Sequence, residues 1–450
     1  MVAADKSMSR RKFLGVAGTA ALAPMVAKGI RGSGINGLLN GGADPTLSLW
    51  NGAWPTTPTN TLSSKLVSQF KYKNYTANYD VLTGNLYEVV EAALAAKKGP
   101  AVGGGYAYMA FQYANQNQIL PANKVVAAMK ANGSYADYIS PTTQFGALKV
   151  PGVGYVAVPW GVDTRVLWYN EKLLHKAGAA VPTDWPSYLD ACKALKKIGV
   201  YGYVTAAATS NAAYGTHTLA YWMLNNGGGM FDEAGDVDCL YSRNIEAVEM
   251  LLEIVKSGYM DPGSISYTDT NVYTEMKSGR AGMTLVNATL PEETGTSPVN
   301  GPFKVMSPIA GPHGNKATLQ YLKNFMMFKN TPSAAASEAL LLYWTELFGG
   351  KNSLFTRGNT GAIPIRKSVI NSPAIQSNPQ LMKVIKEWVP IALEESARCP
   401  HLFAGLATVD NGTAMLAAIQ QILEGNTTAT AVLTKLQKGI HGYGAGYKGQ

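Results

Sequence analysis

The sequence predicts an α/β protein of two lobes, each a helix-covered sheet, connected by extended strands. Three observations carry this prediction. The chain has 450 residues, beyond the size at which a single core usually keeps growing. Its apolar segments alternate between strand-like and helical spacing, the grammar of a mainly parallel sheet with packed helices. A third feature, the long extended path Gly152–Asn170, can cross between lobes and act as a hinge.

The elements follow in order. Leu47–Trp50 predicts a short strand, and Leu62, Leu66, Val67 and Phe70 recur at helical spacing. A strand over Tyr79–Leu82 precedes a helix whose Leu86, Val89, Val90, Ala93 and Leu94 share one face. Within the extended path, Val153–Pro159 and Thr164–Tyr169 predict strands separated by a polar break, Trp160–Asp163. Tyr188, Leu189, Cys192 and Leu195 mark a helix opened by the turn Pro182-Thr183-Asp184. Ile245, Val248, Leu252 and Val255 mark another, closed by Gly258 as a left-handed cap. Ala281–Val286 predicts a further strand.

Composition narrows the function. Charged residues make up 15% of the chain, below the usual share of about 25%, and apolar residues 46%, enough for sizeable cores. Residues 1–27 hold four basic side chains and one acid, so of the net +9 the remainder carries +6 (9 − 3). That excess is dispersed in pairs such as Lys97-Lys98 and Lys196-Lys197, without the basic face of a nucleic-acid binder. Cys192, Cys239 and Cys399 are too few and too far apart for a metal site or disulfide framework; one disulfide or buried free thiols remain open.

The N-terminus reads as an export signal. Ser9-Arg10-Arg11-Lys12-Phe13-Leu14 is a twin-arginine pattern, and Phe13–Ala27 is a weakly apolar stretch shorter than the roughly 20 residues of a membrane span. Cleavage is expected after Ala23 or Ala27, followed by a glycine-rich leader to residue 44. The expected localisation is periplasmic.

Val158-Pro159-Trp160-Gly161-Val162-Asp163-Thr164-Arg165-Val166-Leu167-Trp168-Tyr169-Asn170-Glu171-Lys172-Leu173-Leu174 resembles the signature of sugar-type extracellular solute-binding proteins of ABC importers, the maltose-binding-protein-like group. Ala177-Gly178 with Pro182-Thr183-Asp184-Trp185, Asn226–Gly235, Lys256–Gly263, Met276–Met283 and Gly361–Lys367 resemble later landmarks, in family order. One departure is Pro100-Ala101, where the family often has Pro-Asp. The resemblance implies a two-lobed, type II-like binding-protein fold with the ligand cleft at the hinge. Residues 45–158 and 308–350 would form the N-terminal lobe, and 159–307 and 351–450 the C-terminal lobe. It further implies a monomer that captures a carbohydrate and docks on permease subunits, with no cofactor, no nucleic-acid partner and no catalysis.

Sugars present hydroxyls, met by Asp, Asn and Arg, and flat C–H faces, met by aromatic rings. The candidate ligand-binding residues are Trp54, Tyr106, Tyr108, Trp160, Asp163, Trp222, Asn226, Asn287, Arg357 and Asn359. Tyr106 and Tyr108 follow Gly103-Gly104-Gly105, which would let backbone approach a ligand closely, and Asp163 matches a family position that supplies a carboxylate. Trp222 lies in an apolar helix where core burial serves equally, Asp163 has capping as its alternative, and Arg357 that of a solvated charge. Trp168 and Tyr169 are assigned to the core.

Enzymatic readings find little. P-loop, nucleophile-elbow and H-E-x-x-H motifs are missing, and the five histidines are isolated in sequence. Glu292-Glu293 and Glu394-Glu395 are adjacent and would not face each other on a helix. The acidic turn Asp232–Asp238 lacks EF-hand spacing. A non-sugar solute (polyamine, organophosphate or sulfonate) and a periplasmic carbohydrate-active enzyme stay open as alternatives.

Overall fold

The computed structural model describes residues 45–210 and 212–447. The expected signal peptide and leader lie outside the described residues. Fourteen strands are assigned within them: β1 Thr46–Gly52, β2 Thr76–Leu82, β3 Val102–Tyr106, β4 Ile119–Leu120, β5 Lys149–Val150, β6 Gly154–Tyr155 and β7 Val158–Thr164. Then come β8 Val166–Asn170, β9 Tyr201–Val204, β10 Ala281–Val286, β11 Phe303–Val305, β12 Thr318–Phe328, β13 Ile363–Pro364 and β14 Ala392–Leu393. They build an eight-stranded sheet ordered β13-β7-β12-β3-β1-β2, with β4 and β14 also on β12, and a four-stranded sheet ordered β11-β8-β10-β9. β5 and β6 form a separate two-stranded antiparallel sheet. The class is α/β, and the two larger sheets are both mixed. β1 pairs parallel with β2 and β3, while β12 runs antiparallel to β3 and β7, and β8 antiparallel to β10.

Helices cover the sheets where apolar spacing demanded it. The ones used below are α1 Thr57–Val67, α2 Leu86–Ala95, α3 Ala107–Asn115, α4 Trp185–Lys197, α5 Ala213–Asn225 and α6 Ser242–Lys256. After them come α7 Asp269–Ser278, α8 Ala334–Glu346, α9 Gly405–Asp410, α10 Thr413–Glu424 and α11 Ala429–Ile440. α8 packs on β12 and β7, α1 on β2, and α4 on β9, while α10 and α11 close over α5 and α6. None of the described helices is long and apolar enough to cross a membrane.

The start of α4 is fixed by a capping box. The Asp184 carboxylate accepts from Ser187 N at 2.9 Å, and the Ser187 hydroxyl accepts from Asp184 N at 3.1 Å, satisfying two donors that a helix start leaves unpaired. Asp184→Ala is expected to cost about 1 kcal/mol, measurable as a lower urea midpoint at unchanged slope.

The hinge differs from expectation. Trp160–Asp163 is not a polar break; it lies inside β7, every residue of which is buried. Gln320–Phe325 of β12 pairs along this stretch on both sides of a bulge, where the register steps from Lys323–Gly161 to Asn324–Pro159 and passes over Trp160. The break falls at Arg165, whose N–H donates to Leu319 O at 2.8 Å and whose carbonyl accepts the Thr318 hydroxyl. These pairings put residues 159–164 and β13 in the larger sheet. Cys192, Cys239 and Cys399 are free and buried, which removes the disulfide alternative.

Candidate functional site

A polar and aromatic cluster fills the junction of the two sheets. Alternation along β12 puts Tyr321 and Lys323 on one face, and register sets Asp163 opposite Tyr321 and Tyr106 opposite Lys323. The Tyr106 ring lies 5.7 Å from that of Tyr108 and 5.4 Å from that of Tyr321. Lys323 Nζ sits 3.7 Å from Asp163 Oδ2 and 5.6 Å above the Tyr106 ring.

Arg165 is the hub. Its guanidinium pairs with Asp163, its Nε donates to His217 Nδ1 at 2.8 Å, and the group lies 5.6 Å from the rings of both Tyr214 and Tyr321. Burial works to raise the Asp163 carboxyl, but the Arg165 charge and then Lys323 outweigh it and hold it below its usual value. Burial, with Arg165 beside it, depresses His217 far below its usual value, so the ring is neutral and its Nδ1 is free to accept. From α7, the Asp269 carboxylate accepts from Ala213 N and Tyr214 N at the start of α5; burial pushes it up to about 6.

Acids close the other side. Tyr108 donates to Asp410 of α9. The Tyr321 hydroxyl stands 3.0 Å from Asp410 Oδ1 and 2.9 Å from Glu395 Oε1, and Glu394 accepts from Leu322 N at 2.9 Å. Burial lifts Glu394 to about 8.

Of the ten candidates, Tyr106, Tyr108 and Asp163 meet in this cluster, with Trp160 bordering it through Lys323 Nζ at 5.8 Å. The structure places the other six elsewhere. Trp54 is buried, its indole N–H bonded to Ser63 Oγ at 2.8 Å and its ring edge-on to Trp160; a loop residue here fills core because α1 folds back over it. Trp222 is fully buried among Trp185, Tyr188 and Tyr221. Asn226 ends α5 and gives its amide to Arg243 O and Glu246 Oε2. Asn287 turns its side-chain oxygen to Thr289. Arg357 is exposed, with Asn352 O at 3.4 Å, and Asn359 packs on Thr59 of α1.

The glycine run also serves packing. A Cβ on Gly104 would come 2.3 Å from Asn51 Oδ1 and 2.9 Å from the Phe325 ring, so the absent side chain admits Asn51 and Phe325 across β3 rather than a ligand.

Sequence reasoning missed Arg165, Tyr214, His217, Tyr321, Lys323, Glu394, Glu395 and Asp410. The spacing of Asp163 to Arg165, two residues along an extended path, was a usable signal. His217 and the acids had none, since their partners lie 52 or more residues away. A cavity of about 590 Å³ opens between α10 and α11, lined by Thr408, Gly412, Ala414, Gln421, Lys435 and Tyr443, and by none of the ten candidates.

This arrangement offers flat tyrosine faces beside paired charges, a binding chemistry. Comparison with known proteins agrees in kind. Residues 65–383 match the model of the bacterial extracellular solute-binding protein family. A sugar transporter from Arthrobacter chlorophenolicus A6, solved with laminaribiose, is 38% identical, with 89% of this chain and 98% of that one covered and a TM-score of 0.82. Maltose-bound MalE3 of T. maritima (18% identity, 88% and 98% covered, TM-score 0.72) shares the fold. So does an ABC transporter solute-binding protein of Agrobacterium radiobacter K84 with ribitol (18%, 89% and 98%, TM-score 0.73). No curated protein matches the chain.

Proposed function

This chain belongs to the bacterial extracellular solute-binding protein family, and we propose that it captures a carbohydrate between its two lobes for an ABC importer. The observation that carries this reading is the 38% identity, over 89% of the chain, to a sugar transporter holding laminaribiose. The ligand is met at the sheet junction, where the half-buried Tyr106 presents its ring beside Lys323 and Asp410 lies behind Tyr108. Closing of the lobes is a population shift, because contacts made by both lobes exist only in the closed state. The protein works by reversible capture without turnover, as an exported monomer that docks on permease subunits, its export directed by the twin-arginine segment.

A thermal-shift screen tests this, with laminaribiose first, then other neutral sugars, sugar acids, sugar phosphates, sulfonated sugars and polyamines. A ligand at about 100 times its dissociation constant adds about 2.7 kcal/mol of stability. A shift confined to neutral sugars is the expected result. Arg357 is exposed away from the cluster, which leaves an anionic ligand without that charge partner. A shift from polyamines alone would keep the fold and overturn the ligand class. Silence across the panel together with hydrolysis of a glycan would replace the reading with an enzyme.

A further inference from the structure

The end of the larger sheet farthest from the tyrosine cluster is a surface of lysines. β1, β2 and β3 run parallel and β12 runs antiparallel to β3, so the starts of those three strands and the finish of β12 share one end of the sheet. Tyr106 and Lys323 mark the other end of the β3–β12 ladder, four residues or about 13 Å along the strand from the Met327–Val102 pair. At the far end lie Lys65 in the last turn of α1, Lys71 and Lys73 before β2, Lys97 and Lys98 between α2 and β3, and Lys329 after β12. All six are exposed.

Acids are missing from the same segments: residues 45–79, 92–136 and 324–337 contain no Asp or Glu. The acids that bound these stretches are Asp44, outside the described residues, the buried Asp80, the half-buried Glu91, Asp137, which accepts from Ser368 N at 2.8 Å, and Glu338, which pairs with Lys124 at 3.4 Å. Among the described residues no acid pairs with any of the six lysines, whereas Lys124 and Lys323 each have one. Cations near helix C-termini are favoured, which accounts for Lys65, Lys97 and Lys98 but not for Lys71, Lys73 or Lys329. Lys73 and Lys97 also hold left-handed backbone, φ 52° and 56°, where glycine would be less strained. Charge is kept there against the preference of the chain.

We propose that this lysine pole rests on an anionic lipid bilayer, holding the protein at the membrane while its ligand cluster stays free. The four strand ends span about 14 Å, within two screening lengths of about 10 Å at 0.1 M salt, so the charges act on one lipid patch together. Each lysine near such a surface strengthens binding about fivefold. The half-buried Tyr72 and Tyr75 flank Lys73, whose Nζ lies 5.7 Å above the Tyr72 ring; tyrosine among lysines is the composition of a membrane–water interface. The chain also enters β1 at this pole, at Thr46 beside Thr76. The preceding segment, with Lys28, Arg31 and the expected export signal, therefore joins the fold here, so this is the end delivered beside a lipid surface. The proposal draws on that export reading and not on the identity of the ligand.

The test is co-sedimentation of the full chain, without sugar, with vesicles of phosphatidylglycerol and phosphatidylcholine in equal parts. Vesicles of phosphatidylcholine alone read what residues 1–44 contribute by apolar insertion. The variant Lys71→Gln/Lys73→Gln/Lys97→Gln/Lys98→Gln should bind the anionic vesicles at least about tenfold more weakly than wild type, with an unchanged melting temperature because all four side chains are exposed. The difference should vanish at about 1 M salt. A charge-matched control, Lys172→Gln/Lys176→Gln/Lys193→Gln/Lys197→Gln, removes four exposed lysines next to the smaller sheet and should bind like wild type. If the four-lysine variant does not fold, Lys71→Gln/Lys73→Gln is read against Lys172→Gln/Lys176→Gln in the same way. Equal losses in pole and control variants would reduce the effect to net charge and overturn the proposal. So would equal binding of wild type and pole variant to anionic vesicles, or a difference seen only with soluble polyphosphate.

Discussion

Asp163→Ala is expected to destabilise the protein by about 3–5 kcal/mol, because it strands the buried Arg165 guanidinium. Arg165 would keep the neutral His217 nitrogen and the Tyr214 and Tyr321 rings, none of which balances a full charge. The measurement is urea unfolding of Asp163→Ala, Arg165→Met and the double variant. The double variant should recover a large part of the loss, since no uncompensated charge then remains. Additive losses would show that the pair is not coupled. The pH dependence has a definite sign. Asp163 is held below its ordinary value, so its contribution is present above about pH 4 and is lost as pH falls through the depressed value. Asp163→Asn should remove that part of the acid transition.

Trp160→Ala is the second large effect, about 3–5 kcal/mol from lost burial and the cavity left behind. The ring is buried with its centroid 5.3 Å from Trp54, 4.7 Å from Phe348, 5.9 Å from Phe355 and 6.0 Å from Phe325, under α8. Aromatic pairs of this kind add about 0.5–1.5 kcal/mol beyond their buried area. The expected outcome is a lower denaturant midpoint with sugar affinity of the folded fraction unchanged. A full loss of affinity at wild-type stability would return Trp160 to the ligand-contact role that its place in the sequence suggested.

Periodicity and capping chemistry located most of the elements. The strand at Leu47–Trp50, the helix face Leu86–Leu94, the Asp184 cap and the Gly258 left-handed turn are all local, set by residues within one or two turns of each other. Sheet direction was not local. β12 arrives from residues 318–328 and inserts antiparallel between β3 and β7, which makes the sheet mixed and pairs Gly161–Asp163, with a bulge at Trp160. The polar residues there looked like a break because their partners were not yet in view.

The site divides along the same line. Tyr106, Tyr108 and Asp163, which the structure brings into one cluster, could be singled out because ring and carboxylate chemistry is written in single residues next to strand ends. Trp54, Trp222 and Asn226 carry the same chemistry but face core or cap positions, a distinction that depends on which helix covers them. Asp410 and Glu395 meet Tyr321 from 89 and 74 residues away, and His217 meets Arg165 from 52. By itself the sequence determined the element pattern, the two-lobed class and the kind of chemistry at the hinge. Only the tertiary structure decided which charges are paired and which rings are buried. The physical reason is that desolvation and charge pairing depend on distance in space, which a local pattern of residues does not contain.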